Sequence, residues 1–363
     1  MMKRCGAVRP RLLVVPSIIV VFALMLVSTL QREMRIPAAN EDNRSLTAAA
    51  NSTIEAHANL RWQVEKVVTN EPLNEEAFLV DWPPAEMLDA LFDGATQTTP
   101  HSRRLVVGAS NSDYVDFADN FANSLLALNV SNFVLVPLDE KAYQILHKAY
   151  PEHTLPVMPW MAFAPEGEAV YGSEAFKKLT ATRPAFLRPL LEKGYTVLYN
   201  DIDMVWQRNA WDVIDEREKK IESTRVSTMT VTTTTSMLWH DGPNMLCTCV
   251  FYLLPTPDSI SLLTQWEEEV LTGTHLHDQR AFNTVAERLM LPLGGGSTAN
   301  GVRVFDNDEE FPRGASYSWN KTSLSNQKAV IIHNNWIKGK QAKRDRFEAA
   351  GLWNPSGRVP QPQ

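Results

Sequence analysis

Cysteine is scarce: three in 363 residues, too few for the disulfide framework of a small secreted scaffold. Cys5 stands ahead of a long apolar run, and Cys247 and Cys249 are separated by one residue, a spacing at which a mutual bridge is strained. The latter two are therefore expected as unbridged residues on a strand. No Cys-x-x-Cys pair exists, which excludes the common structural zinc sites. Basic excess is also missing: the net charge is −7, so nothing electrostatic invites a nucleic-acid partner. No internal repeat is evident. What is present is ordinary for a globular enzyme, 44% hydrophobic and 21% charged residues, in a chain long enough for one large or two modest domains with a substantial core.

Residues 12–30 (LLVVPSIIVVFALMLVSTL) carry no charge and are long enough to cross about 30 Å of hydrocarbon at about 1.5 Å per residue. Lys3, Arg4, Arg9 and Arg11 precede the run, whereas Glu33 partly offsets Arg32 and Arg35 beyond it. That bias keeps the N-terminus cytosolic and sends the rest of the chain into a lumen. The run exceeds a usual signal-peptide core and no small-x-small cleavage site follows, so an uncleaved anchor is expected over a cleaved signal. Sequons at Asn43, Asn51, Asn129 and Asn320 are compatible with a secretory route. The organisation expected is a cytosolic tail (1–11), a transmembrane anchor (12–30), a stem (31–103), a catalytic domain (104–354) and a C-terminal tail (355–363). Helical stretches at 54–68 and 85–92 can pack on the body.

From residue 104 apolar runs alternate with amphipathic stretches, the pattern of βαβ units. Strands are expected at 105–109, 133–137, 195–199, 226–239, 247–254 and 329–332. Helices are expected at 114–128, 140–149, 173–193, 260–271, 279–289 and 340–350, the last closed by Gly351. The fold class is α/β, a mixed sheet with a Rossmann-like start.

The strand at 195–199 delivers the chain to Asp201-Ile202-Asp203. Carboxylates two apart on a strand share a face. In open α/β sheets ligands bind beyond the carboxyl ends of the strands, and hard oxygen donors there suit manganese or magnesium, which in turn hold pyrophosphate. An acidic pair is often a solvated turn, but the apolar strand before this one and Met204, Val205 and Trp206 after it set it apart. His333 follows Val330-Ile331-Ile332 and would also end a strand, either as a third ligand or as a hydrogen-bonded structural residue. Among Lys338, Lys340, Lys343, Arg344 and Arg346, those nearest Gly339 are the better diphosphate clamps; the rest read as a solvated basic face.

Four stretches, 107–111 (VGASN), 194–206 (GYTVLYNDIDMVW), 277–283 (HDQRAFN) and 333–340 (HNNWIKGK), resemble in order those of the nucleotide-diphospho-sugar transferases of glycosyltransferase family 77. The resemblance spans about residues 105–353. It implies a GT-A fold behind a stem and one N-terminal transmembrane helix, Golgi type II topology, a UDP-sugar donor, a glycan or glycoprotein acceptor and retention of anomeric configuration. It also implies that Asp201, Asp203 and His333 hold the metal, with Asp203 the more direct carboxylate ligand. Ser110, Asn111 and Asp201 would serve the donor, and Lys340 the diphosphate. Asp278 and Gln279 would be catalytic, lying by the sugar to hydrogen-bond its hydroxyls or the developing charge, the alternative being a helix start with Asp278 as N-cap. Asn200 and Ile202 depart from the residues usual in the family, and neither change removes a ligand.

Two rivals use the same features. A haloacid-dehalogenase-like phosphatase also places Asp-x-Asp after a strand, with the first Asp as nucleophile, but near the start of its core, whereas here two βαβ-like units precede it. A non-catalytic luminal sugar-binding protein would keep the fold without the chemistry, and Asp201, Asp203 and His333 are all in place against it. Donor selectivity turns on one or two hydroxyl contacts that a sequence does not display.

Overall fold

The computed structural model describes residues 82–92, 103–158, 173–223, 236–242, 245–272, 277–291, 298–299, 302–305, 309–319 and 327–359. The anchor, the stem before Trp82, the helix expected at 54–68, most of the strand expected from 226, Cys5 and the sequons at Asn43, Asn51 and Asn320 lie outside these residues. Asn129 is described: it is exposed, in a turn with φ 57°. Among the described residues no helix is long and apolar enough to cross a membrane.

The elements are α1 (Ala85–Ala90), β1 (Arg104–Ser110), α2 (Val115–Leu126), β2 (Phe133–Pro137), α3 (Glu140–Ala149), α4 (Glu174–Ala181), α5 (Arg183–Glu192), β3 (Thr196–Asp201), β4 (Met204–Trp206), α6 (Ala210–Ser223), β5 (Ser236–Gly242), β6 (Met245–Leu253), α7 (Pro257–Thr272), α8 (Asp278–Arg288), β7 (Thr298–Ala299), β8 (Val302–Phe305), β9 (Ile331–His333) and α9 (Lys340–Ala350). Seven strands form one mixed sheet in the order β2-β1-β3-β6-β5-β8-β7, and β4 pairs with β9 in a second, two-stranded one. The β1, β2 and β3 strands run parallel, as the βαβ pattern predicts, and β6 joins β3 antiparallel.

The central strands read as nearly continuous apolar runs because both faces of the sheet are covered. Leu105, Val107, Val134, Val197, Tyr199 and Phe251 pack on one side with Leu187 and Leu190 of α5, Trp266 of α7 and Phe282 of α8. Val106, Phe133, Leu135, Leu198 and Tyr252 pack on the other with Phe121 and Leu125 of α2, Leu146 of α3 and Ile214 of α6. A third cluster, Phe117, Val205, Ile332, Phe347 and Leu352, ties β4, β9 and α9 to α2.

Four features depart from the sequence reading. The helix expected at 173–193 is two helices: Pro184 has no N–H to continue the ladder, so it sits in the first turn of α5, where that donor is not needed. Residues 82–92, assigned to the stem, belong to the body, with Trp82, Leu88 and Phe92 in its core and Trp82 Nε1 donating to the Pro156 carbonyl at 2.9 Å. The C-terminal tail is likewise packed as far as residue 359: Ser356 Oγ and the Gly357 N–H both donate to Asp119, and Val359 is buried.

The fourth is a correction. Cys247 and Cys249 form a disulfide, with Cα atoms 5.2 Å apart. Leu238 pairs with Phe251 and His240 with Leu246, so β5 advances two residues while β6 advances five. The surplus bulges out of the ladder. That departure from an extended strand lets two side chains on one face approach within bonding reach, which a regular strand at this spacing resists.

Candidate active site

The candidate site lies at the carboxyl ends of β1 and β3. Ala109 and Asp201 are register partners, so Ser110, Asn111 and Asp201 reach the same edge. Ser110 and Asn111 are both buried, and Ser110 Oγ donates to the Asn111 carbonyl at 3.0 Å. Gly108 lets α2 and the Asp-x-Asp turn close on β1, since a Cβ there would stand 2.8 Å from a Phe121 ring carbon and 3.1 Å from Ile202 Cδ1.

Asp201 ends β3, and Ile202 and Asp203 form a turn into β4. The pair therefore does not alternate along one strand; the turn and the β4–β9 pairing bring the carboxylates together instead. Met204 is the register partner of His333, and the Asn334 N–H donates to the Asp203 carbonyl at 3.0 Å. His333 Nε2 then lies 3.3 Å from Asp203 Oδ1 and 3.8 Å from Asp201 Oδ2. One ligating atom from each of Asp201, Asp203 and His333 falls within 4.8 Å of the others. Two carboxylates and an imidazole at such separations fit a manganese- or magnesium-sized cation. Asn200, just before the motif, is structural: its Oδ1 accepts from Trp206 Nε1 at 2.7 Å.

Charge is balanced by two cations that sequence reasoning did not single out. Arg183, the first residue of α5, donates from Nη2 to Asp201 Oδ1 at 2.7 Å, from Nη1 to Asp278 Oδ2 at 2.5 Å and Thr248 Oγ1 at 3.1 Å, and from Nε to the Tyr199 hydroxyl at 3.0 Å. Tyr199 in turn donates to Asp201 at 2.8 Å. Lys343 of α9 is bonded to Asp203 Oδ2. Burial opposes ionisation of both carboxyls. For Asp203, Lys343 and His333 overcome it and hold the group well below the ordinary carboxylate range. For Asp201, burial prevails over Arg183 and His333, aided by the charge on Asp203, and pushes the carboxyl up.

The other expected site residues divide. Asp278 is buried at the start of α8, but His277 occupies the N-cap position and the Asp278 carboxylate serves Arg183, so the N-cap reading is set aside. Gln279 follows it, half-buried, its carbonyl accepting from Asn283 Nδ2 at 2.8 Å. The structure does not bring Lys340 to the Asp pair. Lys340 Nζ lies 3.0 Å from Oδ1 of Asp116, a fully buried residue of α2. Lys343, three residues on, shares its side of the helix and makes the contact instead; that spacing was the available signal. The segment after His333 is held by α9 and the 314 turn: Arg346 Nε donates to Asn334 Oδ1 at 2.7 Å and the Gly314 N–H to Asn335 Oδ1 at 2.6 Å.

A family model described as nucleotide-diphospho-sugar transferase matches residues 128–347. The chain is 28% identical over 274 residues to UDP-D-xylose:L-fucose alpha-1,3-D-xylosyltransferase 3 of Arabidopsis thaliana, covering 71% of this chain and 68% of that one. It is 25% identical over 202 residues to UDP-galactose:fucoside alpha-3-galactosyltransferase of Dictyostelium discoideum, 52% of this chain and 30% of that one. Among solved structures, galactosyltransferase LgtC in complex with donor and acceptor sugar analogues aligns over 68% of this chain and 95% of that one, at 14% identity and a TM-score of 0.39, too low to argue from. The family match runs over more than half of the chain and sets aside both the phosphatase and the non-catalytic readings: the protein belongs to the nucleotide-diphospho-sugar transferases, glycosyltransferase family 77, and is a glycosyltransferase.

Proposed function

We propose that the protein moves a pentose or hexose from a UDP-sugar to a hydroxyl of a glycan or glycoprotein, with retention, using a divalent cation held by Asp201, Asp203 and His333. The observation that carries this is the convergence of those three side chains at the sheet's carboxyl edge in a chain of this family. Manganese or magnesium bound there would neutralise charge on the departing nucleoside diphosphate.

The protein's own groups do the remaining work. Ser110 and Asn111 face the nucleotide. Lys343, already at Asp203, is within reach of a diphosphate as a point charge, whereas Lys340, one turn earlier on the helix, is held by Asp116. Arg183 fixes Asp201 and Asp278 in one network, so Asp278 and Gln279 present a preorganised edge to the donor sugar. Asp278 is committed to that ion pair and buried, which favours a front-face transfer over a covalent adduct: the leaving diphosphate oxygen takes the acceptor's proton. Residues 12–30 serve as a signal anchor that places the catalytic body, behind its stem, in the Golgi lumen as a single-pass type II protein.

Full-length chain incubated with a panel of UDP-sugars tests this by donor hydrolysis. Turnover that requires manganese and selects one donor is expected. Hydrolysis unaffected by chelation would contradict it, and a kinetically competent glycosyl adduct on Asp278 would sink the front-face route.

A further inference from the structure

The bulge in β6 places the Cys247–Cys249 disulfide against the candidate site rather than away from it. Both sulfurs, buried, line a cavity with Met204, Trp239, Ile331 and His333. The two sulfurs and a His333 ring nitrogen lie within 4.8 Å of one another. A tetrahedral zinc ion, with bonds of about 2.3 Å to sulfur and about 2.0–2.1 Å to nitrogen, needs its donors about 3.5–3.8 Å apart, a separation these three reach by small side-chain rotations. Two thiolates and an imidazole form a soft donor set that selects zinc or cadmium, unlike the hard oxygens of Asp201 and Asp203.

We propose that the disulfide masks a soft-metal site: once reduced, Cys247 and Cys249 together with His333 bind zinc, and the oxidised pair keeps that ion out. Two electrons from a dithiol, which leaves as its own disulfide, break the S–S bond, and two protons complete the thiols. Zinc then displaces both protons to solvent and is held by two thiolates and the imidazole. The single His333 ring is shared by the two ligand sets. Zinc in the soft site therefore repositions the ring that Asp201 and Asp203 also use, a consequence that rests on the proposed donor site, whereas zinc binding itself does not.

The test uses the full chain carrying Cys5→Ser, so that only Cys247 and Cys249 respond. It is reduced with a phosphine, which ends as the phosphine oxide by taking oxygen from water, and freed of reductant. Cadmium is then titrated while the thiolate-to-metal charge-transfer absorbance is read, and zinc is added in competition. One equivalent should bind after reduction and none before, Cys247→Ser should abolish the signal, and His333→Ala should weaken zinc binding by about tenfold or more, the floor set by losing a group that merely supports a ligand. No signal after reduction, or unchanged affinity in His333→Ala, would overturn the proposal. So would loss of near-ultraviolet circular dichroism on reduction, which would make the bridge purely structural. Manganese-dependent UDP binding, measured separately on the oxidised chain, distinguishes failure of this site from failure of the donor site.

Discussion

Replacing Arg183 by Met keeps most of the side chain's volume and removes the charge between two carboxylates. The guanidinium contacts Asp201 at 2.7 Å and Asp278 at 2.5 Å, and both carboxylates would be left without their partner in a site where Asp278 has only 3% of its side chain exposed. Removing one partner of a buried pair costs about 3–5 kcal/mol. At about 2–4 °C per kcal/mol for a body of this size, the melting temperature should drop by about 6–20 °C. Burial already pushes the Asp201 carboxyl up against the charge of Arg183, so losing the guanidinium pushes it further up. A raised folded pKa stabilises at low pH and is lost as pH rises through it, so the deficit should be smaller at pH 5 than at pH 8. Arg183→Lys restores the charge without the planar fork and should recover part of the loss. Thermal unfolding followed by circular dichroism at both pH values decides the matter. A melting temperature within 2 °C of the parent in Arg183→Met, equal at both pH values, would refute the idea that Arg183 holds Asp201 and Asp278 together.

Lys343→Ala strands the buried Asp203, so it should cost about 3–5 kcal/mol of stability and, in protein still folded at the assay temperature, lower kcat/KM for donor hydrolysis by about 10²-fold. Lys340→Ala should cost a similar amount, about 3–5 kcal/mol, by stranding the buried Asp116 but leave kcat/KM of the folded protein near the parent value; the hydrolysis assay tells them apart. Gly314→Ala would put a Cβ 2.1 Å from the Asn335 carbonyl oxygen, so it should cost about 1–3 kcal/mol and weaken manganese binding two residues from His333, read by thermal unfolding and metal titration. His153 stacks on Phe133 at 4.0 Å, and its burial lowers its pKa despite a hydrogen bond to the Phe133 carbonyl. A depressed folded pKa means that the contribution is complete above the unfolded value of about 6.5 and declines as pH falls below it. His153→Gln should therefore flatten the loss of melting temperature between pH 7 and pH 5.

Element order and the acidic motif were legible because they rest on local pattern. The continuous apolar runs of β1 and β3, and the helical spacing of Phe117, Phe121 and Leu125, need no knowledge of what packs against them. His333 was legible as a strand end, but not that its strand would pair with β4 rather than extend the main sheet. Arg183 was hidden because an arginine beside a proline reads as a helix start, and only the fold turns that start toward Asp201 and Asp278, 18 and 95 residues away. Lys343 was hidden among five cations of a basic segment, where proximity to Gly339 was a poorer guide than helical spacing. The Cys247–Cys249 bridge depends on a β-bulge, set by the mismatch of β5 against β6, and no residue of the Cys-Thr-Cys stretch itself signals that mismatch.

Isothermal titration of UDP into the full chain, with and without manganese, tests the central claim most directly. Binding that appears only with manganese, and disappears in Asp203→Ala while the variant keeps its parent circular dichroism spectrum, is the expected result. Equal UDP affinity without manganese, or in Asp203→Ala, would contradict the donor site described for Asp201, Asp203 and His333.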